Sequence, residues 1–417
     1  MFYNCHTHIF NAKSVPEDFL GHGLIRLLSK SKFSFYLVFY WKRASHWVVV
    51  NLQKIPVVST VMHSDSYVLE KVSGWLRRSV FTRWLARIFE WFADTPKDFV
   101  AKYAYLIEAG REKSQELIFE KLRKIPCYSE DTRFVVLTLN MDHMAAGMPR
   151  INYLTQLSFI TRLKKKYPQH LLPFLCIDPR SGDEKQLLSF ARHYIEDLGY
   201  IGIKFYPALG FYPFDPRLKL LYEYAQEKEI PIMTHCTKGG VFYKGELTAD
   251  HLHPRDLDNK FIDTVFIDTS QLRNRVFKNN FSNPDNYRLV LERFPELKIC
   301  MAHYGGSDQI MDYLRTKNEK SWYYKIKRML VEYRNVYTDV SYTLFETHVF
   351  KLLKEDILSD EVGDKILFGT DYYMTEQEKN EKDLVSDFRK VLNESLFMKI
   401  ALRNPEKYLK SAFYYPP

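Results

Sequence analysis

In His6-Thr7-His8 two imidazoles stand two residues apart, a spacing that on a β-strand puts both on one face, able to converge on one cation. Much further along the chain, His235, His303 and Asp371 each end a short apolar run. Neutral imidazole nitrogen and carboxylate oxygen suit zinc or a similar divalent metal, and a catalytic site keeps one position for water. His6, His8, His235 and Asp371 would supply three nitrogens and one oxygen. A cation held by them would bring the pKa of its water towards neutrality and make hydroxide available as a nucleophile, or it could polarise a substrate carbonyl. His303, in Ala302-His303-Tyr304-Gly305-Gly306, is then free to shuttle protons or stabilise an oxyanion, with a structural histidine as the plainer alternative.

Other polar residues end or interrupt the same kind of run. Lys204, in Gly202-Ile203-Lys204-Phe205, is a charge inside an otherwise apolar stretch, costly unless paired, deprotonated or modified. It reads as a binder of substrate carboxylate, a carbamylated bridge between two metals, or half of a structural ion pair. Asp339 could orient a ligand or equally make structural hydrogen bonds, while Asp178 and Arg180 could pair in a loop near the mouth, and Asp142 has similar standing. Cys5, Cys176, Cys236 and Cys300 fall in or beside apolar runs and read as buried small hydrophobes.

Side chains so far apart in sequence need a scaffold that brings strand ends together. Eight β-rich runs supply one: Phe2 to His6, Phe134–Leu139, Leu172–Ile177, Ile201–Phe205, Ile230–Thr234, Leu297–Ala302, Val336–Val340 and Ile366–Gly369. The later ones are nearly continuous apolar stretches, as expected of parallel strands covered on both faces. Helical patterns separate them over Tyr153–Lys166, Glu184–Leu198, Pro216–Lys228, Asn283–Arg293, Gln309–Glu332 and Glu376–Asn393. The alternation predicts an α/β protein with a (β/α)8 TIM barrel, whose functional side chains gather at the carboxyl ends of its strands. The barrel is expected over residues 1–10 and 132–417, with a mainly helical insertion over 11–131 at the catalytic mouth. Five of the six tryptophans (Trp41, Trp47, Trp75, Trp84, Trp91) lie in that insertion. Residues 22–99 hold 12 Lys/Arg against 5 Asp/Glu, and Val72, Leu76, Val80, Trp84 and Ile88 predict an amphipathic helix that packs the insertion onto the barrel or meets a membrane surface or partner.

Composition narrows the class. A chain of 417 residues, 46% apolar and 16% aromatic, can bury a large core and is not a disordered polymer. The net charge of +9 comes from many residues of both signs and does not imply nucleic acid. Five irregularly spaced cysteines exclude a disulfide scaffold and fit a reducing compartment, the cytoplasm by default. No apolar stretch reaches the roughly 20 residues of a membrane span, and the start reads as part of the fold. The expected partner is a small molecule; no nucleic acid is expected, and a homo-oligomer is allowed.

His6-Thr7-His8, Gly202-Ile203-Lys204, Pro231-Ile232-Met233-Thr234-His235, Ala302-His303-Tyr304-Gly305-Gly306, Leu367-Phe368-Gly369-Thr370-Asp371 and Asn404-Pro405 form an ordered series. In this the chain resembles the amidohydrolase superfamily, specifically the amidohydrolase-related group of metal-dependent hydrolases and the aminocarboxymuconate-semialdehyde decarboxylase type of enzyme. The resemblance implies His6, His8, His235 and Asp371 as metal ligands and His303 as acid/base or second-site ligand. It implies one divalent ion, zinc as first choice, or two if Lys204 is carbamylated. The insertion has no counterpart in it. The function expected first is hydrolysis, metal-activated water attacking an amide, lactone or related carbonyl of a small anionic substrate, with His303 and Asp371 as the catalytic residues and Lys204, Arg180 and Asp339 as substrate contacts. The alternatives are non-oxidative decarboxylation of an unsaturated or aromatic acid at the same site and, from another class, a membrane- or nucleic-acid-binding protein using the basic insertion.

Overall fold

The computed structural model describes residues 1–16, 114–262, 267–376 and 378–417, all within one structural unit. The helix expected around Val72 to Ile88, and the tryptophan-rich basic stretch that contains it, lie outside the described residues.

All eight expected strands are present: β1 (Tyr3–Thr7), β2 (Arg133–Leu137), β3 (Leu171–Cys176), β4 (Gly202–Phe205), β5 (Ile232–Thr237), β6 (Ile299–Gly305), β7 (Val336–Asp339) and β8 (Ile366–Leu367). They pair in parallel and in sequence order from β1 to β8. The ring closes where the Cys5 N–H donates to Phe368 O at 2.8 Å and the Asp371 N–H to His6 O at 2.9 Å. The architecture is the expected TIM barrel. Strand boundaries shift by a few residues from the sequence expectation, because the ladder rather than the apolar run sets them.

The interior is filled by alternate strand residues, among them Val135, Leu137, Leu172, Phe174, Met233, Cys300 and Leu367. Tyr408, from the last helix (Asn404–Leu409), packs into the same core and donates its hydroxyl to Ile232 O at 2.9 Å. The four strand cysteines are buried and reduced, as expected of small core residues.

The helix Tyr153–Lys166 matches its expected span, and Asn152 caps it by accepting from the Thr155 N–H. The span expected as one helix over Gln309–Glu332 is two, Ser307–Thr316 and Trp322–Glu332, parted where Lys317 takes a left-handed φ of 55° and Ser321 caps the second. The helix Gln115–Arg123, within the span assigned to the insertion, sets Phe119 against Phe134 of β2 and Tyr167, ring centroids 5.8 and 5.3 Å apart. A helix over Asn274–Ser282 was not expected from the sequence, where its polar residues obscure the periodicity. No described helix is long and apolar enough to cross a membrane.

Candidate metal centre

β1 and β8 supply the core of the site. The Nε2 atoms of His6 and His8 lie 3.6 and 3.3 Å from Asp371 Oδ1, and all three residues are buried. Each imidazole has its other nitrogen engaged by a group that only accepts. His6 Nδ1 lies 2.8 Å from Asp339 Oδ2, and His8 Nδ1 lies 3.0 Å from Leu137 O. A neutral ring that donates through Nδ1 presents a lone pair at Nε2. Three acceptors therefore face one another, and Asp371 Oδ1 is buried without a hydrogen-bond partner.

That arrangement is unfavourable for the side chains alone and is what a divalent cation satisfies. Ligand atoms held tetrahedrally at about 2.0–2.1 Å from one ion stand about 3.3–3.4 Å apart, close to the spacing here. A second group of possible ligand atoms, from His6, His303 and Asp339, also falls within 4.8 Å, so His6 belongs to both. The donor set fits a divalent metal.

Electrostatics match. Burial brings His6 down to about 4 despite the pull of Asp339, so the ring is neutral at physiological pH. Burial alone would raise Asp339, but the imidazole of His6 that donates to it holds its carboxyl below the ordinary range. Asp339 spends both oxygens on the protein: Oδ2 on His6, Oδ1 on the His303 N–H at 2.9 Å and the Ser341 N–H at 3.0 Å.

His235 lies two residues before the end of β5, outside the set of atoms within 4.8 Å. Its Nδ1 lies 3.1 Å from His303 Nε2, and Tyr206 stacks on its ring, centroids 4.0 Å apart. His303 Nδ1 lies 3.2 Å from Ser341 O, a pure acceptor. In that tautomer His303 Nε2 accepts from His235 Nδ1–H, which leaves a lone pair on His235 Nε2. Backbone conformation marks the same residues, since His303 and Asp371 have φ of 71° and 61°. Side chains rarely adopt that left-handed region, and here it is held by the hydrogen bonds from the His303 and Asp371 amides.

Lys204 Nζ is buried with no hydrogen-bond partner; burial lowers its pKa, opposed by Asp339 and Asp371. Arg180 is not brought to the histidines. Its guanidinium is bidentate to Asp178, at 2.9 and 2.6 Å, and donates to Leu209 O, over the rings of Phe211 and Tyr243. Asp142 accepts from the Tyr153 N–H at 3.3 Å and is likewise apart. A cavity of about 600 Å³ lined by Lys399, Arg403 and Lys407 contains no histidine and borders Asp364, which precedes β8, the end of the strand away from Asp371.

Two contributors had little signal in the sequence. Ser341 Oγ lies 3.0 Å from His6 Nδ1 and 2.9 Å from His303 Nδ1, bridging the rings, although only its place two residues after Asp339 hinted at this. Tyr206 could be placed near the site only by knowing that β4 lies beside β5.

The family model described as amidohydrolase matches residues 160–410. No curated protein matches. Solved structures similar to this one include an uncharacterized TIM-barrel protein from Bordetella bronchiseptica, 18% identical over 72% of this chain and 84% of that one, TM-score 0.48. Others are a 2,6-dihydroxybenzoate decarboxylase from Rhizobium (16% identical, 73% and 91% covered, TM-score 0.46) and a manganese-bound 5-carboxyvanillate decarboxylase from Novosphingobium aromaticivorans (15%, 72% and 86%, 0.45). At these scores the likenesses add nothing to what the barrel itself establishes. The family match spans more than half of the 417 residues and takes in His235, His303 and Asp371, and the chain belongs to the amidohydrolase family.

Proposed function

We propose that this protein is a metal-dependent enzyme that cleaves a bond at a carboxyl or carbonyl carbon of a small anionic substrate. The observation that carries this reading is the set of three lone pairs, His6 Nε2, His8 Nε2 and Asp371 Oδ1, directed at one another with no proton to share. His6, His8 and Asp371 would hold the ion, and His235 would complete the set through Nε2, which lies 3.4 Å from Gly239 O. When bound, the ion supplies a Lewis acid for an oxygen of the substrate; zinc and manganese both suit nitrogen and oxygen donors.

The chain's own residues do the rest. Asp339 and Leu137 O fix the tautomers of His6 and His8, as outer partners of metal-binding histidines do. His303 holds a proton on Nδ1 through Ser341 and accepts from His235 at Nε2, and it would exchange a proton with the substrate through Nε2 once that contact to His235 opens. Asp339 and Arg180 have their charges committed within the protein, so they position neighbours rather than touch the substrate.

Of the two chemistries the site can serve, we favour loss of carbon dioxide from an unsaturated or aromatic acid. His6, His303, Asp339 and Asp371 are all buried, and enclosure from water assists a step in which carboxylate charge is dispersed. Hydrolysis, the first expectation from the sequence, is the second reading; the family name supports it. Incubating the metal-loaded protein with aromatic and unsaturated acids, amides and lactones in oxygen-18 water separates them. Carbon dioxide release without label in the organic product supports decarboxylation, and labelled product overturns it in favour of hydrolysis.

A further inference from the structure

Behind the turn that follows β5 lies a cation the reading above does not use. Lys278, on the helix Asn274–Ser282, is 7% exposed. Its ammonium donates to Gly239 O and Gly240 O, both at 3.3 Å, long for an N–H···O bond. Among the described residues no carboxylate stands within ion-pair distance of it. Its charged neighbours are Arg275 and Lys244, and with burial these lower its pKa to about 8. The Lys244 and Lys278 ammoniums lie 3.8 and 5.3 Å from the centre of the same ring, Phe242. Such a group of like charges around a buried ammonium is unfavourable until an anion joins it.

The position links this group to the site. Gly239 O, which accepts from Lys278, also lies 3.4 Å from His235 Nε2, and Gly240 is so close to that ring that a Cβ would meet Nε2 at 3.0 Å. We propose that Lys278 is a specificity-determining residue that binds a carboxylate of the substrate beside His235, with Lys244 and Arg275 drawing the anion in and Phe242 lying against its apolar body. This rests on the reading of the histidine cluster as the reaction centre. It places on Lys278 the substrate-anion role expected of Lys204 and Arg180: Asp178 already neutralises Arg180, and among the described residues Lys278 has no acidic partner.

The test is calorimetric titration of the metal-loaded protein with benzoate and with neutral benzamide, with metal content measured for every variant. Charge-assisted hydrogen bonds contribute enough that Lys278→Met is expected to weaken benzoate binding about tenfold or more, leaving benzamide affinity and metal content unchanged. Lys278→Arg is expected to retain most of the benzoate affinity. Equal benzoate affinity in wild type and Lys278→Met, or no preference of the wild type for benzoate over benzamide, overturns the proposal. If Lys278→Met does not fold, replacement of exposed Lys244 and Arg275 by alanine serves instead: several-fold weaker benzoate binding supports the anion site, and unchanged binding overturns it. A wild type that carries no divalent ion but keeps its Lys278-dependent benzoate binding would instead sink the metal reading alone.

Discussion

Asp339 Oδ2 lies 2.8 Å from Nδ1 of His6, joining a carboxylate at the end of β7 to an imidazole of β1 on the far side of β8. The contact fixes which nitrogen of His6 carries the proton and so directs the other, as a lone pair, at Asp371. Asp339→Asn removes the charge that holds this tautomer. We expect metal affinity to fall about 10- to 100-fold, the usual effect of losing such a partner, with the barrel intact by circular dichroism. Competition with a chelating dye measures it, and wild-type affinity in the variant would show that Asp339 does not orient His6.

Asp371 is the point where the acceptors collide. Stripping the metal should lower Tm, and adding back zinc or manganese should restore it. In Asp371→Asn an amide N–H₂ replaces one acceptor and can donate to the imidazoles. The metal-free variant should therefore be more stable than the metal-free wild type, by about 1–3 kcal/mol, while failing to gain stability from metal. Urea unfolding of both proteins with and without metal checks it; a metal-free variant less stable than the metal-free wild type would contradict the account.

Glu381, hydrogen-bonded to the neighbour of Asp371 and not itself a candidate ligand, predicts a pH dependence. It is buried and accepts from Tyr128 and from Thr370, the latter at 2.6 Å, while its Oε2 has no partner. Burial raises it to about 7 against those two hydrogen bonds. Between its unfolded value, about 4.5, and 7 the folded state keeps a proton the unfolded chain has released. Its contribution is thus full below about pH 4.5, declines as pH rises through 7 and levels off above. Glu381→Gln should flatten that part of the profile, on the order of 3 kcal/mol across the window. Denaturation at a series of pH values compares the two, and parallel profiles would show that Glu381 is ionised throughout.

Gly369, two residues after β8, stands against His6 of β1. A Cβ there would stand 2.7 Å from the Cβ of His6, so Gly369→Ala must push the two strands apart. Overpacking of this kind costs about 1–3 kcal/mol. Because the displaced atoms carry His6 and Asp371, metal content should fall along with Tm. Elemental analysis beside a thermal melt tests this, and full metal occupancy would show that the strands can separate without disturbing the ligands.

The barrel was legible in the sequence because strands covered on both faces leave continuous apolar runs, and the polar residues that end them, His6, His8, His235, His303 and Asp371, stand out against that background. The order of those runs and the resemblance they carry also identified the family. What residue types could not specify is which polar group meets which. Arg180 and Lys278 are both cations near a strand end, yet one faces Asp178 and the other only carbonyls, a difference set by the loop path after β3 and by a helix whose polar surface hid it. The tautomers of His6, His8 and His303 were equally out of reach, since they depend on hydrogen bonds to Asp339, Leu137 O and Ser341, and two of those partners lie over a hundred residues from the first two rings. The sequence alone determined which side chains could bind metal, because ligand chemistry belongs to the residue. Only the closed ring of strands decided that three of them share one point in space, because convergence comes from hydrogen-bond register between β1 and β8, which no local pattern encodes.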